Sequence, residues 1–111
     1  MPKILACNMV FWAAGFTPCQ SLVLIHKEHI GNNALVKHEL THVAQMKATG
    51  TVKWWLLYLF SPLFRQSAEV EAYKVQIQYG MLLSEAAQFL STRYRLGITY
   101  QQAEKLLAWH Y

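Results

Sequence analysis

With 111 residues the chain has room for one domain, spanning 1–111, with a single core and few accessories. Hydrophobic residues make up 54% against 14% charged, a balance that predicts apolar surface meeting a partner, a membrane or a substrate. The net charge of +4 comes from scattered Lys and Arg with no basic run, which argues against a nucleic-acid partner.

Lys3 precedes an apolar stretch from Ile4 to Phe16, which includes Trp12-Ala13-Ala14-Gly15 and has the outline of a secretory signal. Its positive start is thin and Asn8 interrupts it; the other reading is a buried first element. Cys7 and Cys19 are too few for a disulfide scaffold and lack metal-site spacing. They are expected as buried free thiols in a reduced, cytoplasmic setting, with membrane association or export as the alternative. Ser21 to His26, rich in branched residues, reads as a strand, and His26 and His29 after it as surface histidines.

Gly31-Asn32-Asn33 then punctuates the chain and can cap a helix from Ala34 to Thr49, which Gly50 stops. Further helices are predicted over Val52 to Phe60, Gln66 to Tyr79, and Ser84 to near Gly97. Thr99-Tyr100-Gln101-Gln102 has the form of a capping box opening a last helix. The predicted class is therefore α+β, mostly helical, with a short strand region ahead of the first long helix. No apolar stretch reaches the ~18–20 residues of a spanning helix. The most apolar one, Trp54 to Phe64, reads as core, with peripheral membrane contact as the alternative. Arg93 and Arg95 read as a solvated helix face.

His38-Glu39-Leu40-Thr41-His42 fits the H-E-x-x-H pattern inside the first predicted helix. Residues four apart stack on one helix face, so two imidazoles can converge on one metal ion. Glu39 falls on the adjoining flank, near enough to act on a metal-bound water without ligating the metal. A helical wheel gives Val36, Leu40 and Val43 one apolar stripe and turns Lys37, Thr41 and Gln45 to solvent. It sets the His pair beside Leu35, Glu39 and Met46. The competing reading is two histidines lining an ordinary core.

A catalytic zinc site takes a third protein ligand and keeps one open position. Glu69 and Glu71 lie two apart on a later helix and point in nearly opposite directions, so only one can face the pair. Glu71 shares its face with Lys74 and Gln78, as a solvated residue would. Glu69 lies between the apolar sectors of Val70 with Ile77 and of Ala72 with Val75 and Tyr79. A carboxylate there is costly unless paired or bound to metal. Glu69 is the expected ligand, and an i,i+4 salt bridge to Arg65 is its alternative role. Two imidazoles and a carboxylate suit zinc, and Mn²⁺, Fe²⁺ or Co²⁺ would accept the same set.

His38-Glu39-x-x-His42, followed on a later helix by Glu69-x-x-Ala72, resembles the gluzincin clan of zinc metallopeptidases. The short chain is also similar to minigluzincins and to small phage and bacterial zincins. The likeness covers about Ser21 to Gln78. It implies a minimal zincin-like domain with Zn²⁺ on His38, His42 and Glu69, and Glu39 as general base. The implied reaction is hydrolysis of a peptide or protein substrate by metal-activated water, with Leu22–Ile25 as the edge strand aligning that substrate. Where gluzincins often carry an Asp four residues after the ligand Glu, this chain has Tyr73; all six of its acidic residues are Glu. No oxyanion motif stands out, and Tyr94, Tyr100 and His110 are the nominees. The alternatives are a non-catalytic zinc-binding interaction module and a small membrane-associated protein with an incidental His pair.

Overall fold

A computed structural model describes residues 2–7, 15–29 and 31–108. Three short strands come first: β1 (Lys3–Cys7), β2 (Gly15–Cys19) and β3 (Leu22–His26). Alternation of branched residues makes β3 a strand, with Val23 and Ile25 fully buried on one face. The sheet order is β1-β3-β2, with β1 parallel and β2 antiparallel to β3. The strand predicted as the edge is the central one, and the outer strand beside the first helix is β2. The apolar stretch from Ile4 to Phe16 supplies parts of two strands rather than one buried segment, its residues 8–14 lying outside those described. Ile4 and Leu5 remain 39% and 43% exposed, because the first helix packs chiefly under β2 and β3 and leaves β1 at the far edge.

A 3-10 turn (Lys27–His29) leads to α1 (Asn33–Thr49), followed by α2 (Thr51–Phe60), α3 (Pro62–Gln78), α4 (Leu83–Arg93) and α5 (Tyr100–Ala108). The Asn32 side chain caps α1 by accepting from the Leu35 N–H at 3.1 Å. Gly50, at φ 98°, separates α1 from α2. α3 starts earlier than Gln66 because Ser61 caps it, accepting from the Phe64 N–H at 3.2 Å, and Pro62 fits the first helical position. α4 stops at Arg93, short of Gly97, as the chain turns through Arg95 at φ 54°. The Arg65 guanidinium donates to the freed carbonyls of Tyr94 and Arg95 at 2.7 and 3.3 Å. The capping box at Thr99 forms in both directions with Gln102.

Three apolar clusters hold these parts together. Val23 and Ile25 of the sheet meet Leu35 and Val43 of α1; Met46, Trp54 and Ala68 join α1, α2 and α3; Tyr73, Ala86, Ala87, Leu90, Ala103 and Leu107 join α3, α4 and α5. The Trp54–Phe64 stretch divides: Trp54 enters the core, while Leu56, Leu59, Phe60 and Leu63 stand exposed. Among the described residues no helix is long and apolar enough to cross a membrane.

Candidate metal centre

α1 and α3 pack side by side at small residues, Ala68 and Ala72 being buried between them. That closeness brings His38 and His42 of α1 against Glu69 of α3. Glu69 Oε1 lies 3.3 Å from His38 Nε2, and Glu69 Oε2 lies 3.4 Å from His42 Nε2. One ligand atom from each residue falls within 4.8 Å of the others, and all three side chains are buried. Glu69 Oε1 and His38 Nδ1 have no hydrogen-bond partner in the protein. Three converging ligand atoms with an orphaned carboxylate oxygen could hold a divalent metal ion. Arg65 does not pair with Glu69; besides Tyr94 and Arg95 it donates to the carbonyls of Tyr58 and Leu59.

The surroundings orient this set. Gln45 Nε2 donates to the Ala68 carbonyl at 3.0 Å and to Glu71 Oε1 at 2.6 Å, which fixes the amide. Gln45 Oε1 therefore accepts, from Trp54 Nε1 at 3.2 Å and from His42 Nδ1 at 2.9 Å. With Nδ1 protonated toward Gln45, His42 Nε2 is the atom that faces Glu69 and would ligate a metal once its own proton is displaced. Gln45, which the wheel turned to solvent, is thus part of the centre, and exposed Glu71 acts on it at one remove. For a metal ion held at this centre, Gln45→Ala is expected to cost roughly 10–100-fold in affinity, as competition against a chelating indicator would read.

His38 is held differently. The Tyr73 ring meets its ring edge-on at 4.5 Å between centroids, while the Tyr73 hydroxyl bonds the Tyr94 hydroxyl at 2.6 Å. Tyr73 therefore steadies His38 by ring contact and not by a hydrogen bond. Tyr58 donates to Glu69 Oε2 at 2.5 Å. Burial, reinforced by the Glu69 charge, raises the pKa of Tyr58 and of Tyr94; burial is also the leading cause of the rise at Tyr73. All three phenols stay protonated donors at physiological pH.

Glu39 is 5% exposed. Thr17 of β2 donates to Glu39 Oε1 at 2.7 Å. Gly15 leaves room for the same carboxylate: a Cβ there would stand 3.0 Å from Glu39 Oε2. Glu39 and the three candidate ligands line one cleft of about 790 Å³, closed by β2, by Trp55, Tyr58 and Leu59 of α2, and by Arg93, Tyr94 and Arg95. Among the described residues, Glu39 and Glu69 are the acidic ones that line it, against Arg65, Arg93 and Arg95. Tyr94 thus reaches the cleft. Tyr100, at the start of α5, does not line it, and His110 lies outside the described residues. His26 and His29 are also elsewhere, at the end of β3 with rings 6.1 Å apart. Cys19 is a half-buried free thiol beside Ser21, whose hydroxyl draws its pKa down.

No family model, curated protein or solved structure matches the chain. What the centre can do rests on its own geometry.

Proposed function

We propose that this protein is a small zinc-dependent peptidase of gluzincin type. The observation that carries the reading is the convergence of His38, His42 and Glu69 within 4.8 Å in the cleft that also holds Glu39. Zinc held by those three residues would supply a Lewis acid and bring a water's pKa to about 7. Glu39, oriented by Thr17 and given space by Gly15, takes the proton of the attacking water and passes it to the leaving amine. The Tyr58 phenol donates its one proton to Glu69 Oε2, so its part is to orient the third ligand.

Substrate is an extended peptide lying along the outer side of β2. Gly15, Phe16 and Thr17 line the cleft there, while the Pro18 carbonyl is taken by Trp55 Nε1 at 2.8 Å. Three arginines about that cleft favour an acidic side chain or a terminal carboxylate on the peptide.

Glu39→Gln separates this enzyme from a zinc module that only binds. The variant keeps its ligands, so zinc content stays at the wild-type level while cleavage of a peptide library, followed by mass spectrometry, falls at least about a hundredfold. Equal cleavage by the two proteins at equal zinc content removes Glu39 from the reaction and the proposal with it.

A further inference from the structure

The exposed face of α2 is apolar where helix faces toward water are ordinarily polar. At about 100° per residue, Val52, Leu56, Leu59 and Phe60 fall on one side of the helix, with Lys53 at its border. These four are 74%, 54%, 60% and 79% exposed, and Leu63, just past the bend into α3, is 77% exposed. Trp54 occupies the opposite side and fills the core. The inward side is thus satisfied, and the described residues leave the outward ridge largely uncovered. Contiguous exposed apolar surface of this kind marks an interaction site.

We infer that this ridge docks the protein on an anionic lipid surface. Charge supports that occupant: Lys53 stands at the border of the ridge, and the chain has no acidic residue from Leu40 to Ala68. Shape supports it too. Five exposed side chains running from α2 across the bend at Ser61 into α3 suit insertion among lipid headgroups, with Lys53 at the polar boundary. A second copy of the chain is the poorer occupant, because a stable protein interface needs about 800 Å² and some 20–30 residues from each partner. Leu59 belongs both to the ridge and to the lining of the metal cleft. Docking therefore sets the mouth of that cleft at the membrane interface, whatever the cleft does.

The test is co-sedimentation of the full chain with vesicles containing phosphatidylglycerol, beside vesicles of phosphatidylcholine alone. Wild type is expected to partition onto the anionic vesicles, and more weakly at high salt. The double variant Phe60→Ser, Leu63→Ser is expected to lose about tenfold or more in partition. Its far-UV circular dichroism and melting temperature should stay unchanged, since both side chains are mostly in water. Lys53→Gln should lose about fivefold on anionic vesicles only. Equal partition of wild type and the double variant overturns the proposal. So does absence of wild-type binding, whether the protein sediments as a monomer or as a dimer that the double substitution dissociates; the latter assigns the ridge to a second copy.

Discussion

The Glu69→Ala protein is expected to retain no stoichiometric zinc where the wild type, purified without chelators, carries it. Glu69 offers one oxygen to each histidine, at 3.3 and 3.4 Å, and its loss leaves only the two imidazoles. Two ligands fall short of the three that zinc sites of this kind use, so affinity should drop well beyond the roughly 10–100-fold of an outer-shell change. Stability falls as well. Glu69 is the buried counter-charge of His42, and removing one member of a buried pair costs about 3–5 kcal/mol.

Because that cost could unfold Glu69→Ala, Glu69→Gln is the companion variant. The amide keeps the shape and a hydrogen bond to Tyr58 while ligating zinc far less well. A folded Glu69→Gln protein without zinc isolates the ligand role from the structural one. Glu71→Ala should keep its zinc, since Glu71 is exposed and touches the centre only through Gln45. Elemental analysis of all four proteins decides. Metal-free wild type removes the centre, and zinc lost from Glu71→Ala but kept by both Glu69 variants reverses the assignment of the third ligand.

What could be read in advance follows from which interactions are local. His38 and His42 share a face through i,i+4 geometry, and the apolar neighbours of Glu69 along its own helix marked it out from Glu71. The contacts that orient this set are not local. Thr17 and Glu39 are 22 residues apart and meet only because β2 packs on α1. Gln45 looks solvated on its own wheel, but Ala68 and Glu71 of α3 cover that side. Alternation identified β3 as a strand and could not place it between two others, since neighbours in a sheet are chosen by the fold. Tyr58 was one phenol in a nearly uniform apolar run. The same uniformity hid the outward ridge of α2, because periodicity cannot say which side of an all-apolar helix faces water.

Zinc affinity is expected to climb with pH across neutrality and level off near pH 9, and the sign follows from His42. Burial alone would push its pKa down. The adjacent Glu69 charge and hydrogen bond, helped by the Glu39 charge and by Gln45, prevail and lift it from 6.5 to about 9. An imidazolium against a carboxylate is therefore the expected state of the metal-free protein, and an incoming zinc ion would have to displace that proton. Apparent affinity should rise about tenfold per pH unit up to the raised value, and with an ordinary imidazole it would level off near 6.5. Stability of the metal-stripped protein runs the other way. The contribution of His42 is fully present below pH 6.5 and is lost as pH rises through about 9. For Glu69, burial opposes ionisation but the two histidines outweigh it and lower its pKa below 4.5, so its contribution is present above 4.5 and is lost in stronger acid. The gap in melting temperature between zinc-loaded and stripped protein should thus widen from pH 6.5 to 9. Calorimetric titration in buffers of different ionisation enthalpy should show about one proton released per zinc at neutral pH. Flat affinity over that range with no proton released would mean that His42 is neutral in the stripped protein and that Glu69 is not its counter-ion.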